Sequence, residues 1–193
     1  MKMLKKILLP TDFSVSSRGA LEMAITLAKN FDSEITLLHV IPGFPKSKKV
    51  KDLLYKTAQD QFMAIRKKIS LSGGKTTEPV IATGSYSDQI IQLAEMQDAN
   101  LILMGSGEKE VSGKYKLSAT ATKVIRKSNK PVWVVKREMP SFIKRIICPI
   151  DFSQPSRRAL NNAIHLARVF NAELTVLRVI ARFRTHGCAW MFN

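Results

Sequence analysis

The sequence predicts an α/β fold: a five-stranded parallel sheet sandwiched by helices. Three observations predict it. Short apolar runs recur along the 193 residues, and longer stretches with three- and four-residue apolar spacing separate them;. The runs are apolar at successive positions, as strands buried on both faces are. Strand and helix alternate, an order that implies parallel pairing with right-handed crossovers.

Lys6-Ile7-Leu8-Leu9-Pro10 reads as the first strand, ended by proline, with Thr11-Asp12-Phe13-Ser14 as the turn after it;. Ser16 or Ser17 is expected to cap the next helix, which carries Ala20, Leu21, Ala24, Leu27, Ala28 and Phe31 on one stripe;. Ile35–Ile41 is the second strand, ended by Pro42-Gly43. A long helix over roughly 52–71 should turn Leu53, Leu54, Ala58, Phe62, Ile65 and Ile69 inward and end at Gly73-Gly74;. Pro79–Ala82 is the third strand, and Ser87-Asp88 opens a helix bearing Ile90, Ile91, Leu93 and Ala94.

The fourth strand, Leu101–Met104, breaks at Gly105-Ser106-Gly107. A polar loop over 108–116 is expected next, then a helix over 117–127 and a last strand, Val132–Val135. Ligands of such sheets bind beyond the carboxyl ends of strands, where strand order reverses. The first and fourth strands carry the two specialised loops, so they should be neighbours at that switch point. A glycine loop between a buried strand and a helix start lets backbone N–H groups approach an anion.

The net charge is +16 and the pI about 10.1, with the excess spread along the chain: +10 in residues 1–138 and +6 in 139–193. Such charge favours loose contact with anionic surfaces. No aromatic stacking platform accompanies it, so a solvated basic surface is the expectation and nucleic-acid binding is not. No apolar run approaches the ~20 residues of a membrane span, and the basic start lacks the apolar core of a signal peptide;. Two cysteines make no disulfide framework, so a cytoplasmic setting is expected;.

Residues 146–153, Ile-Ile-Cys-Pro-Ile-Asp-Phe-Ser, echo residues 7–14, Ile-Leu-Leu-Pro-Thr-Asp-Phe-Ser. The echo holds a constant offset of 139 residues, from Asp12 to Asp151 and from Ile41 to Ile180. An ungapped match over a whole β-α-β unit predicts tandem domains: a complete one over 1–138, a linker at 139–141 and a partial one over 142–180. Residues 181–193 match nothing in the first copy, and a frameshift or premature stop is the hypothesis for them.

These residues resemble the universal stress protein family. The marks are the 7–14 segment, Leu37-Leu38-His39-Val40, Leu101–Ser106, and Lys123–Arg126 with Pro131–Val135. The resemblance implies a flavodoxin- or Rossmann-like sandwich of the adenine nucleotide alpha hydrolase type and a role in stress response. It also implies homodimer pairing through the last strand, Val132–Lys136. ATP-binding members carry Gly, two residues, Gly, nine residues, then Gly and Ser or Thr. Gly105 matches the first position, but Glu108, Ser118 and Ala119 stand at the other three. Glu108 would place a carboxylate beside a phosphate, and Ala119 lacks a hydroxyl; Gly107, one residue early, partly compensates;.

The nucleoside half is intact by resemblance: Asp12 would bond the ribose or adenine, and Pro10, Thr11 and Val40 would line the base. Gly105, Ser106, Gly107, Ser118, Ala119 and Thr120 are the expected phosphate-side residues, with Thr122, Lys109, Lys114 and Lys116 as further donors;. ATP is thus the candidate cofactor of a degenerate site, with members of the family that bind no ATP as the alternative; no metal is expected. Against these roles stand structural ones. Asp12 can form a turn, Gly105 and Gly107 can be turn glycines, His39 reads as a core histidine, and Cys148 reads as core;. No nucleophile–base grouping emerges, so an enzyme is not expected. The expectation is a regulatory binding module that changes partners. The alternatives are an ATP-binding, weakly hydrolysing switch and a basic nucleic-acid-associated protein.

Overall fold

The computed structural model describes residues 4–43, 47–107, 109–111, 114–136 and 142–178, the stretches 109–111 and 114–116 by backbone alone. The chain divides into two compact units, Met1–Ser141 and Phe142–Asn193.

In the first unit the strands are β1 (Lys6–Pro10), β2 (Glu34–Ile41), β3 (Lys75–Thr76), β4 (Val80–Thr83), β5 (Leu101–Gly105), β6 (Lys109–Val111), β7 (Lys114–Lys116) and β8 (Val132–Val135). The helices are α1 (Val15–Phe31), α2 (Lys48–Leu71), α3 (Tyr86–Met96) and α4 (Ala119–Lys127). The main sheet runs β3-β2-β1-β5-β8, with β4 also on β2, and all its pairs are parallel. β1 therefore lies between β2 and β5, and chain order reverses between β1 and β5, the switch point expected from the two loops.

Alternate residues of a strand face opposite layers. Leu8, Leu38, Val40, Ile102 and Met104 form one core with Ile90, Ala94, Ala121 and Val124 of α3 and α4. On the other face α1 packs across β1, β5 and β8, and α2 packs on β2 and β3. Ile7, Leu9, Ile35, Leu37 and Leu103 are buried to within 1% there.

Several local expectations are corrected. Ser14 caps α1, accepting from the Ser17 N–H, because Asp12 and Thr11 already hold the turn that delivers Ser14 to the cap. α2 starts a turn earlier than expected, at Lys48. Its first turns overhang the sheet, leaving Leu53 64% and Leu54 40% exposed, and burial begins only at Ala58. Ile65 is half-buried, and Phe62 and Ile69 are buried as expected. The third strand position is shared: β3 pairs with the start of β2 and β4 with its end. Pro79 has no N–H to offer β2, so pairing lapses before it and resumes at Val80;. The expected loop over 108–116 contains an antiparallel pair, Lys109–Val111 with Lys114–Lys116. α4 begins at Ala119 with Ser118 as its cap.

In the second unit β9 (Arg145–Pro149) pairs in parallel with β10 (Glu173–Leu177), and α5 (Gln154–Phe170) packs on both. Cys148 is buried there. The expected linker, Glu108, Val179, Ile180 and the tail with Cys188 lie outside the described residues.

Candidate functional site

The C-terminal ends of β1, β2 and β5 open onto a cavity of about 360 Å³. Its position follows from the sheet. β1 and β5 diverge into loops on opposite faces, α1 leaving one way and α4 the other, and the space between them is left unfilled.

Pro10, Thr11 and Asp12 line it from β1, and Ser14, Ser16 and Ser17 from the start of α1. The turn that presents them is held locally. The Ser14 N–H bonds Asp12 Oδ1 at 3.0 Å, and the Phe13 N–H bonds Thr11 Oγ1 at 3.0 Å. The Thr11 N–H bonds the Leu38 carbonyl at 2.8 Å, tying the turn to β2. Phe13 adopts φ +62°, rare for a bulky residue;. That conformation turns its ring away from the cavity, onto His39 at 4.5 Å and edge-on to Phe62 at 5.5 Å. His39 Nδ1 meets the Thr11 carbonyl at 2.8 Å, so its ring is committed to bracing the turn.

Partial desolvation opposes the ionisation of Asp12, but hydrogen bonds from Ser14 and Ser17 outweigh it and hold the carboxyl below its ordinary value;. It is an anion at neutral pH. Its two oxygens together accept about four bonds, so the Asx turn does not exhaust it.

Gly105, Gly107, Ser118 and Thr120 close the opposite wall. Both glycines have packing reasons. A Cβ on Gly105 would lie 2.6 Å from the Ser16 carbonyl oxygen, so only glycine lets β5 meet the first turn of α1. Gly107 has φ +59°, and a Cβ there would lie 2.8 Å from Ser118 Cβ;. The Ser118 hydroxyl caps α4, accepting from the Ala121 N–H at 3.1 Å.

Of the ten residues singled out in the sequence, eight border this one cavity: Pro10, Thr11, Asp12, Val40, Gly105, Gly107, Ser118 and Thr120. Ser106 and Ala119 do not. Ser106 is 1% exposed, its backbone bonded to Val135 and Ser118, and its hydroxyl has no partner among the described residues. Ala119 is exposed. Leu38, Tyr86, Ile90 and Met104 complete the lining and were missed. Leu38 and Met104 follow from period two at the strand ends, and Tyr86 opens the helix after the neighbouring β4. The side chains of Lys109, Lys114 and Lys116, expected as phosphate donors, lie outside the described residues, and among the described residues no group of three metal-binding side chains occurs.

The model of the universal stress protein family matches residues 3–136 and 143–187. The chain belongs to the universal stress protein family. Universal stress protein MJ0577 of Methanocaldococcus jannaschii, a member of the family, is 32% identical over 158 residues, covering 70% of this chain and 97% of that protein. A universal stress protein structure from Archaeoglobus fulgidus superposes with TM-score 0.79 at 27% identity, covering 93% of this chain and 68% of that one. A further family structure from that organism, in complex with dAMP, is 22% identical with TM-score 0.53, over 70% of this chain and all of that one, a likeness of fold alone.

Proposed function

We propose that the first unit is a regulatory binding module whose switch-point cavity takes an adenine nucleotide. The observation that carries this is the convergence on one cavity of the ionised Asp12 carboxylate, an apolar end and two helix starts. A ribose hydroxyl suits Asp12, a base suits Leu38, Val40 and Met104, and a phosphate suits N–H groups at the start of α4;.

In this reading the protein does no chemistry of its own and acts by changing partners in a stress response. His39, beside the turn after β1, is spent on the Thr11 carbonyl and Phe13. β8 ends its sheet, so a second copy adding a strand at that edge is the proposed dimer contact;. The second unit is read as a partial copy of the first. Native mass spectrometry of the purified chain, followed by calorimetric titration with AMP and ATP, tests the site. Binding that Asp12→Ala abolishes supports it; no bound nucleotide and no heat at millimolar AMP or ATP overturns it. Sedimentation velocity tests the dimer, and a monomer at tens of micromolar sinks it.

A further inference from the structure

Resting on the nucleotide reading, we propose that Tyr86 is the base-stacking residue of the cavity and biases it toward purines. Tyr86 is the first residue of α3 and lines the cavity with 42% of its surface exposed. One turn later Ile90 is 3% exposed and lines the same end, beside Leu38, Val40 and Met104. The acceptors and hydroxyls of Asp12, Ser14, Ser118 and Thr120 belong to other elements, β1, α1 and α4. The cavity thus combines one aromatic and several aliphatic side chains from α3, β2 and β5 with polar groups from the turn after β1 and the starts of α1 and α4.

The backbone that carries the ring is fixed on both sides. β4 and α3 are joined by only Gly84 and Ser85. Gly84 has φ +133°, a conformation that side-chain-bearing residues rarely adopt, and its N–H bonds the Ile41 carbonyl at 3.1 Å;. The Gln89 N–H closes the first turn of α3 on the Ser85 carbonyl at 3.0 Å, and Ser87 is buried. Tyr86 is thus delivered to the mouth by a short, anchored turn at the end of β2, the strand that also supplies Val40 and Leu38. A tyrosine on an anchored backbone has only two side-chain torsions left to order on binding, which is what makes an aromatic platform effective. A purine offers it two fused rings and a pyrimidine one, so stacking favours purines.

The test titrates the full chain with AMP and with CMP, comparing wild type, Tyr86→Ala and Tyr86→Phe by calorimetry, with circular dichroism to check folding. Tyr86→Ala should weaken AMP binding roughly 5- to 100-fold, the span of aromatic–base stacking losses, and should shrink the AMP-over-CMP preference. Tyr86→Phe should keep AMP affinity within about twofold. Tyr86→Ala binding AMP as wild type does would overturn the assignment. So would an equal loss for AMP and CMP that Phe fails to rescue. No AMP binding by the wild-type chain overturns the nucleotide reading and this assignment with it, whereas binding lost in Asp12→Ala but unchanged in Tyr86→Ala overturns this assignment alone.

Discussion

The turn after the first strand is built twice in this chain, in very different surroundings. In the first unit Asp12 accepts from the Ser14 N–H at 3.0 Å; in the second Asp151 accepts from the Ser153 N–H at 2.9 Å. Phe13 and Phe152 take φ +62° and +65°, and the helices that follow end on Asp32 and Asn171 at φ +51° and +48°. The Thr11 and Ile150 N–H groups bond the Leu38 and Leu177 carbonyls, each at 2.8 Å. Even the ring contact recurs with a changed partner: Phe13 stacks on His39 at 4.5 Å, and the Arg178 guanidinium lies over Phe152 at 4.6 Å. Burial is shared on the face under the helix, where Leu9 and Cys148 are both buried, and differs on the other face. Leu8 and Leu38 are 0% exposed, while Ile147 and Leu177, at the same places in the repeat, are 68% and 47% exposed. The backbone geometry of a β-α-β unit is set by about forty local residues, whereas its core depends on layers contributed from further along the chain. In the first unit α3 and α4 supply that layer.

Core substitutions should separate the two units most. Leu38→Ala should cost about 2–5 kcal/mol in denaturant unfolding followed by Trp133 fluorescence, as fully buried leucines do. Leu177→Ala should cost below about 1 kcal/mol, because its side chain is already half in water;. Equal costs would mean that the second unit covers that face of its strands as well.

The next effect concerns the loop that only the first unit shows among the described residues. Gly105→Ala should destabilise by about 1–3 kcal/mol, since the added methyl meets the Ser16 carbonyl, which is backbone and yields poorly;. Thermal melting would check it, and an unchanged melting temperature would show that α1 can retreat from β5.

Cap removal should treat the units alike. Ser14→Ala and Ser153→Ala should each cost about 1 kcal/mol, because both hydroxyls accept from the N–H three residues on;. Hydrogen exchange across α1 and α5 would read the two separately. A clear inequality would mean that packing, not the cap, holds one of them.

The smallest effect is in acid. Both turn carboxyls lie below the ordinary 3.8, Asp151 at about 2, held there by Ser153 and Ser156. A carboxyl depressed in the fold stabilises above its unfolded value, and that stabilisation is lost as pH falls through the folded value. Each turn should therefore keep its geometry down to about pH 4 and loosen only below it. Carboxyl carbon chemical shifts would report both titrations, and a midpoint above 3.8 at either residue would contradict its hydrogen bonding.

Most of the architecture was legible in the chain. Apolar runs and helical stripes mark strands and helices because burial on two faces, or on one, leaves that periodicity. The two specialised loops were enough to place the switch point between β1 and β5, and eight of the ten site residues meet there. What was not legible depends on cover and on reach. Leu53 and Leu54 have helical spacing, yet they are 64% and 40% exposed, and burial along α2 begins only at Ala58. Ser106 sits inside a glycine loop, yet its backbone bonds to Val135 and Ser118 hold it away from the cavity. Tyr86 belongs to no local motif; its place at the mouth comes from β4 lying beside β2 and from the short turn at Gly84.

Alone, the sequence determined the order of strands and helices, the chemistry of the turn after the first strand, and the family, because each rests on periodicity or on contacts between near neighbours. Only the tertiary structure decided which apolar faces are covered, which loop residues reach the cavity and which glycines are needed for packing. Those outcomes depend on distances between elements tens of residues apart, which no local pattern encodes.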